Sequence, residues 1–229
     1  MCIRIADMLS FQHTHAYNPP YQPPLHRRPQ HADRASSRLV ARAAPPTSPA
    51  LTSVEGLKRK VVKLAGNKNG TDRSEAQRQE LADVINQLNE RNPTAAPAAA
   101  DLAGTEWVIC YTDSSGNSSG KLGPLVGRTG QRFPADTPGQ YVNYASFLAG
   151  ALTVELQGEY AAKGDARINL VFKSTSFSFL GGLLRTPAKE FPNGGLKAHW
   201  VMKYVDQDVR VLETNKGSIF VLVRDSPHV

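Results

Sequence analysis

The spacing of apolar residues changes once along this chain, from a helical period to a period of two. Apolar side chains recur every three or four positions over Val54–Ala65 and again over Glu75–Arg91, which predicts two amphipathic helices. Gly66 fits the end of the first helix, because glycine readily adopts the left-handed conformation of a helix stop. Ser74 and Gln77 have the spacing of a capping box at the start of the second helix.

Beyond Gly104, apolar and polar residues alternate in short runs that are separated by turn residues. These runs are rich in β-branched and aromatic residues, so they predict antiparallel strands, and about eight of them predict a small closed barrel or a sandwich. The apolar and polar sides separate most clearly around Leu156 and Leu170, as expected for a barrel wall with one face inward. The predicted strands are Glu106–Thr112, Gly127–Phe133, Gly139–Phe147, Ala151–Tyr160, Ala166–Ser174, Lys197–Val205, Val209–Thr214 and Ser218–Arg224.

One segment between predicted strands has an unusual composition for a loop. Residues 174–185, STSFSFLGGLLR, combine aromatic and aliphatic residues with serines and a Gly-Gly pair. Apolar side chains beside the basic Arg185 and Lys189 predict contact with a lipid surface, and a loop that folds back onto the barrel is the alternative. The candidates for membrane contact are Phe177, Leu180, Leu183, Leu184 and Arg185.

Charge separates the first 52 residues from the rest of the chain. The formal net charge is +7, and residues 1–50 supply more than half of it, with six arginines, no lysine and two acidic residues. An arginine-rich, acid-poor sequence with many Ser, Ala and Pro residues is typical of a disordered organellar transit peptide, with cleavage expected near Arg42 to Thr52. The remaining residues are nearly balanced in charge, so we do not expect nucleic-acid binding.

Residue types and spacing argue against several classes of site. Cys2 lies in the predicted transit peptide, which leaves Cys110 without a partner, so no disulfide is expected. A single cysteine with the isolated His199 and His228 has no recognisable metal-ligand spacing, so no metal site is predicted. The chain has no run of about 18 apolar residues, so no transmembrane helix is predicted. Motifs of serine hydrolases, zinc proteases and P-loop enzymes are also missing, so no catalytic residue is predicted.

Two pairs of residues near predicted turns have alternative roles. Asp206 and Asp208 are predicted to be turn residues that accept backbone N–H groups, and a carboxylate pair for acid–base chemistry is the alternative. Gly104–Trp107 resembles the motif with which lipocalin barrels close one end, where an Arg from a late strand stacks over the Trp. This resemblance implies that Trp107 and Arg210 make a structural cation–π contact worth about 0.5–2 kcal/mol. An unrelated surface arginine is the alternative to that contact.

Aromatic and aliphatic residues at inward strand positions are the candidates for a ligand cavity. A closed sheet of about eight strands can hold one small ligand inside. Side chains that simply fill the core are the alternative, because residue spacing does not fix the volume of a cavity. The candidates are Trp107, Ile109, Tyr111, Tyr144, Phe172, Phe179, Trp200 and Phe220.

Several segments resemble one known family. Residues 204–222, YVDQDVRVLETNKGSIFVL, are similar to the C-terminal signature of the plastid-lipid-associated proteins, or plastid fibrillins, with Asp206, Asp208, Arg210, Lys216 and Gly217 as its structural residues. Trp107–Thr112 and Ser118–Gly127 resemble the first barrel segment of that family, and Thr71–Thr94 resembles its N-terminal helices. The resemblance covers roughly Val54–Asp225.

The resemblance implies a mainly β (α+β) fold, a lipocalin-like antiparallel β-barrel of about eight strands preceded by two short α-helices. In this interpretation residues 1–52 are a chloroplast transit peptide, 53–93 the helical segment, 94–103 a linker and 104–226 the barrel. Gly104 and Trp107 resemble the lipocalin Gly–Trp motif with one additional residue between them, so ligand residues are not transferred from lipocalins.

The family also implies a non-catalytic function without a cofactor. The expected role is to bind a hydrophobic small molecule (prenylquinone, carotenoid or acyl lipid), to coat plastoglobule or thylakoid surfaces, or both. The expected partners are therefore a hydrophobic ligand, a peripheral membrane or lipid-droplet surface, or another plastid protein. One alternative is a structural scaffold with a filled barrel that docks an isoprenoid-pathway enzyme. A lipocalin-type lipid-modifying enzyme is the other alternative, and it would require an acid or base pair inside the barrel.

Overall fold

The computed structural model describes residues 53–115 and 117–225. The predicted transit peptide, residues 1–52, lies outside this part of the chain, as do the last four residues. Neither helix of the described residues has the length and apolar character that crossing a membrane requires.

Both predicted helices are present. Helix α1 spans Val54–Ala65 and helix α2 spans Glu75–Asn89. The Ser53 hydroxyl accepts the Gly56 N–H at 3.0 Å and caps α1. The predicted capping box of α2 is also formed, with both reciprocal hydrogen bonds between Ser74 and Gln77, which satisfy backbone donors at the helix start. The two helices pack against each other along their apolar faces.

Twelve strands follow the helices in the described part of the chain. Eight of them form a closed, barrel-like antiparallel ring in the order β1, β4, β5, β6, β7, β10, β11, β12, which confirms the predicted mainly β class. The strands are β1 Thr105–Thr112, β2 Lys121–Leu122, β3 Leu125–Val126, β4 Arg128–Phe133, β5 Gln140–Phe147, β6 Leu152–Lys163, β7 Arg167–Phe179, β8 Leu184–Arg185, β9 Lys189–Glu190, β10 Leu196–Val205, β11 Val209–Thr214 and β12 Ile219–Arg224.

Strand β7 is longer than predicted, and the edge that does not pair with β6 has different partners along its length. The prediction ended this strand at Ser174 and treated the following residues as a loop, but β7 continues to Phe179. Serines alternate with Thr175, Phe177 and Phe179 in this stretch, so the period of two persists although the serines are polar. The first half of β7 pairs with β10 and closes the ring, whereas the second half pairs with the short strands β8 and β9.

Two apolar clusters stabilise the described structure. One fills the inside of the ring, and the other lies between the helices and the outer face of β1, β10, β11 and β12. The interior cluster contains Ala98, Leu102, Trp107, Ile109, Phe133, Tyr141, Ile168, Leu170, Trp200, Met202, Val205, Leu212, Phe220 and Leu222. The helix-facing cluster contains Leu57, Val61, Ala65, Leu81, Val84, Ile85, Leu88, Tyr111, Tyr204, Val209, Val211 and Val221.

Two β-bulges direct tyrosines out of the ring. In β1 the register shifts between Ile109 and Tyr111, and in β10 it shifts between Met202 and Tyr204. An extra residue in one strand reverses the alternation beyond it, so Ile109 and Met202 face inward while both tyrosines pack on the helices. The prediction that Tyr111 faces the interior is therefore wrong. Cys110, at the first bulge, also packs on the helix side, and burial raises the pKa of its thiol to about 12.

The two ends of the ring differ. At one end, which we call the closed end, the short 3-10 turn Pro97–Ala99 packs against β6 and β10. Its Ala98 N–H donates to the Asp165 carbonyl at 2.8 Å, and Ala98 and Leu102 join the interior cluster. Residues 94–103, the predicted linker, therefore cover this end of the ring. We call the opposite end, where β5 and β7 finish and β6 begins, the open end.

Candidate functional site

Five large apolar side chains are exposed together at the open end of the ring. Leu148 follows β5, and Phe179, Leu180, Leu183 and Leu184 lie at the end of β7 and just beyond it. Their exposed fraction ranges from 40% for Phe179 to 79% for Leu183. We call these five residues the apolar rim. Contiguous exposed apolar residues of this kind mark interaction surfaces on soluble proteins.

The two turns that carry the apolar rim have nearly the same sequence. Residues 146–152 read SFLAGAL, and residues 178–184 read SFLGGLL. In each turn the leucine after the phenylalanine has a positive φ, 51° for Leu148 and 53° for Leu180. A left-handed conformation is unfavourable for leucine, so each turn holds an apolar side chain in solvent at a cost in backbone energy. The turns pack on each other, and the Leu180 N–H donates to the Ala151 carbonyl at 2.8 Å.

The sequence prediction found one of these turns and missed the other. Leu180, Leu183 and Leu184 were candidates for membrane contact and are more than half exposed, whereas Phe177, a candidate as well, is only half-buried in β7. Leu148 was not predicted. The signal that identifies it is the repeated heptapeptide, Ser-Phe-Leu-x-Gly-x-Leu, at the ends of two strands.

Basic side chains border the apolar rim. The Arg185 side chain is 58% exposed, and its Nη2 lies 3.5 Å from Glu155 Oε2. Lys189 in β9 is exposed as well. An apolar surface with cations beside it is the arrangement by which proteins rest on membranes that carry anionic headgroups.

The interior of the ring is packed less tightly at the open end. Leu152, Val154 and Leu156 lie on the inward side of β6, in register with β5 and β7, and all three are only half-buried. By contrast, Ile168 and Leu170 near the closed end are 1% exposed. On β6 and β7, several inward apolar side chains are therefore only half-buried toward the open end, whereas those near the closed end are buried.

At the closed end, Arg210 lies among three aromatic rings. Its guanidinium carbon is 5.1 Å from the ring centres of Trp107 and Phe133 and 5.8 Å from that of Trp200, so the predicted contact between Trp107 and Arg210 is present. Arg210 Nη2 donates to the side-chain oxygen of Gln131. The side chain is fully buried, and burial lowers the pKa of its guanidinium because the charged form loses its hydration.

A separate cluster of charges fastens α1 to the outside of the ring. Lys58 Nζ lies 2.7 Å from Glu55, 2.9 Å from Asp206 and 2.8 Å from Asp208. The Asp206 carboxylate also accepts the backbone N–H groups of Asp208 and Val209, both at 2.8 Å, which confirms the predicted turn role. Burial acts to lower the pKa of Lys58, but its three carboxylate partners outweigh burial and raise this pKa above 10.5.

This cluster has the donor set of a cation site but already contains a cation. The carboxylates of Glu55, Asp206 and Asp208 lie within 4.8 Å of one another. The Lys58 ammonium lies within hydrogen-bond distance of all three and neutralises part of their charge. Asp206 and Asp208 belong to the turn between β10 and β11, outside the interior cluster, so they do not supply the acid pair inside the ring that an enzyme would need.

The predicted cavity residues divide into two groups. Trp107, Ile109, Trp200 and Phe220 belong to the interior cluster, and Phe172 packs against it. The other three do not lie there: Tyr111 faces the helices, Tyr144 lies against the exposed Arg132 on the outer side of β5, and Phe179 is part of the apolar rim. For Tyr144 the reason is alternation, since it is three residues from the inward-facing Tyr141.

Of the remaining residues predicted to be structural, Lys216 and Gly217 form the turn between β11 and β12. Gly217 has a φ of 77°, and its N–H donates to the Thr214 carbonyl at 2.9 Å. A left-handed residue is required here, which explains the glycine. Four residues of the C-terminal signature thus lie in turns, and the fifth, Arg210, lies in the core at the closed end.

Comparison with known proteins is consistent with this description. The chain is 24% identical over 242 residues to a light-induced chloroplastic protein of Solanum tuberosum, an alignment that covers 84% of the chain and 73% of the relative. It is 26% identical to plastid lipid-associated protein 2 of Brassica campestris, with 75% and 69% covered, and 22% identical to a chromoplast-specific carotenoid-associated protein of an Oncidium hybrid, with 81% and 74% covered. No solved structure matches the chain significantly.

The match to a family model is more extensive. The PAP_fibrillin model matches residues 55–223, which is the described structure from α1 to the last strand of the ring. The matched relatives are chloroplastic or chromoplastic proteins by name. Because the matched region covers well over half of the sequence, the chain belongs to the PAP_fibrillin family of plastid-lipid-associated proteins.

Proposed function

We propose that this chain is a non-catalytic plastid protein that binds to lipid surfaces through its apolar rim. The observation that carries the proposal is the pair of SFLxGxL turns, which expose Leu148, Leu180 and neighbouring apolar residues at one end of the ring. The names of the relatives, which describe lipid- and carotenoid-associated plastid proteins, support the same function. Plastoglobules and thylakoid membranes are the surfaces available to a plastid protein of this kind.

The energetics favour reversible, peripheral binding. Burying a leucine side chain that was exposed to water contributes about 1.5–3 kcal/mol. Three inserted leucines therefore contribute on the order of 5 kcal/mol before the cost of association, and attraction of Arg185 and Lys189 to anionic headgroups adds about 1 kcal/mol per residue. A total of this size gives a peripheral contact without a membrane-spanning segment.

The test is flotation of the full-length protein with vesicles of phosphatidylcholine and phosphatidylglycerol. We expect the double variant Leu180→Asp/Leu183→Asp to lose at least about tenfold in bound fraction, because two inserted leucines are replaced by anions. The matched control is Val62→Asp, which places the same charge at an apolar residue that is 43% exposed on α1, away from the rim. Vesicle binding by the double variant that equals that of the wild type would overturn the proposal.

A second function is favoured by the half-open interior. We infer that the open half of the ring binds a hydrophobic small molecule, because Leu152, Val154, Leu156 and Phe177 leave apolar surface only half-buried there. A prenylquinone, a carotenoid or an acyl lipid would bury its own apolar surface against these residues. Native mass spectrometry after incubation with a plastid lipid extract tests this function, and a protein that stays free of adducts at every lipid concentration argues against it.

The scaffold alternative makes a different prediction for the same experiments. A protein that docks an isoprenoid-pathway enzyme needs neither an internal ligand nor vesicles, and the filled closed half is compatible with that role. Vesicle flotation distinguishes the two functions, since docking alone produces no flotation of the purified protein. The enzyme alternative has less support, because Asp206 and Asp208 lie outside the ring interior and are bound by Lys58.

A further inference from the structure

Arg210 carries a charge that the rest of the described structure does not neutralise. Its side chain is 0% exposed, and no Asp or Glu side chain is buried in the described residues. Its Nη2 donates to the neutral side chain of Gln131, whereas Nε and Nη1 have no hydrogen-bond partner in the described structure. Burying an ionised group without a counter-charge is costly, so such a group indicates a missing partner.

The aromatic rings around Arg210 do not replace that partner. Trp107, Phe133 and Trp200 lie within 5.8 Å of the guanidinium carbon and stabilise the cation through their π faces. The N–H groups of a guanidinium point outward from its edge, and each requires an oxygen acceptor. The rings therefore account for the retention of a charged side chain here and leave its Nε and Nη1 atoms without an acceptor.

A second unsatisfied group lies in the same part of the interior. The hydroxyl of Tyr141 is buried and has no hydrogen-bond partner in the described residues. The Tyr141 ring centre is 6.0 Å from Phe133 and 5.4 Å from Trp200, two of the rings that also surround Arg210. Two unpaired groups that can both donate hydrogen bonds thus border the same pair of rings, so the interior lacks an acceptor.

We propose that the interior of the ring binds the carboxylate of an acyl-chain lipid and that Arg210 is its cationic partner. This inference rests on the proposed binding of a hydrophobic small molecule and names its chemical class. A carboxylate supplies both features that the interior lacks, a negative charge and oxygen acceptors. The acyl chain would extend along the half-buried Leu152, Val154 and Leu156 toward the open end, where the apolar rim meets the lipid surface.

The experiment measures binding of three ligands that share one chain and differ at the polar end. Oleic acid, methyl oleate and oleyl alcohol are titrated into the full-length protein, and intrinsic tryptophan fluorescence is recorded. The chain contains two tryptophans, Trp107 and Trp200, and both stack on Arg210, so the signal reports directly on this site. We expect the ionised acid to bind at least about tenfold more tightly than the alcohol and the ester, with a change in fluorescence.

Three variants separate the role of Arg210 from a general effect on the barrel. Arg210→Met keeps a long apolar side chain and should abolish the preference for the acid. Arg224→Met is the matched control, because Arg224 stacks on Trp107 at 5.8 Å from the exposed side, and it should keep the preference. If Arg210→Met does not fold, Gln131→Leu keeps the arginine and removes its present acceptor, so the preference for the acid should be retained or increased.

Each result bears on the inference. A preference for the acid that disappears in Arg210→Met, or increases in Gln131→Leu, supports it. Equal affinities for the three ligands would overturn the carboxylate assignment and leave the proposed small-molecule function intact. Failure of all three to bind overturns the carboxylate inference and leaves a prenylquinone or carotenoid as the ligand that native mass spectrometry tests. A preference for the acid that persists in a folded Arg210→Met variant overturns the role of Arg210 alone.

Discussion

At the closed end of the ring Phe133 is 1% exposed, whereas at the open end Phe179 is 40% exposed, although both are aromatic residues at strand ends. The closed end is covered by Pro97–Ala99, and aromatic rings surround Arg210 inside it. At the open end, Asn69 and the loop around Ser119 cover the side of β1 and β4, whereas the apolar residues of β5 and β7 continue past the strands into two exposed turns. The same alternating pattern thus produces a buried core at the closed end and an exposed apolar surface past the ends of β5 and β7.

The largest expected effect comes from removing a ring at each end. Phe133→Ala should lower the free energy of unfolding by about 4 kcal/mol, because it leaves a cavity in a filled core and removes one of the aromatic rings that contact the Arg210 guanidinium. Phe179→Ala should lower it by about 1 kcal/mol or less, because that side chain is already partly in water. Denaturant titration of both variants measures the difference. Equal losses would mean that the open end is as well packed as the closed one.

The next effect tests whether the contact of α1 with the closed end contributes to stability. Lys58→Met should lower the free energy of unfolding by about 2 kcal/mol, because it leaves Asp206 and its neighbours without their cation while the alkyl chain still packs. Lys60→Met is the control, since Lys60 pairs with Glu80 at a solvated surface and should change stability by less than about 0.5 kcal/mol. A Lys58 variant that unfolds like the Lys60 variant would show that the cluster is only a surface feature.

The smallest expected effect is a loss of stability in acid. Burial acts to raise the pKa of Asp206, but hydrogen bonds from Tyr204, the Val209 and Asp208 N–H groups and Lys58 outweigh burial and lower it below 3.8. The unfolded chain therefore binds a proton here before the folded protein does, so stability decreases as the pH falls through this range. Solvent screening of this partly exposed group keeps the loss below about 1 kcal/mol. Denaturant titrations at pH 3 to 6 should show a shallower decrease for Asp206→Asn, and an unchanged slope would contradict the assignment.

Much of this architecture could be predicted from local patterns. The helices, the capping box of α2 and most strand positions follow from periods of 3.6 and 2, and these periods record which side of each element is buried. The orientation of Tyr111 could not be predicted, because the bulge at Cys110 depends on pairing with β12, far away in sequence. The burial of Arg210 beside Gln131 likewise depends on two strands that meet only in the folded ring.

The apolar rim was predicted in part for a related reason. Leu180, Leu183 and Leu184 were conspicuous because a run of apolar residues stood beside glycines and a basic residue. Leu148 sits in a short turn whose composition is unremarkable by itself, and its importance follows from the packing of that turn on its counterpart after β7. Contacts between distant turns are set by the topology of the sheet, which residue spacing does not encode.

The divided pairing of β7 has a consequence for how the ring responds to an occupant. Toward the open end this strand pairs with β8 and β9, which are two residues long, while its continuous pairing with β10 lies toward the closed end. Backbone amides of β8 and β9 should exchange with solvent faster than those near the closed end, because few hydrogen bonds must break for these short strands to separate from β7. We therefore expect the open end of the ring to widen around ligands of different size while the closed end keeps its shape.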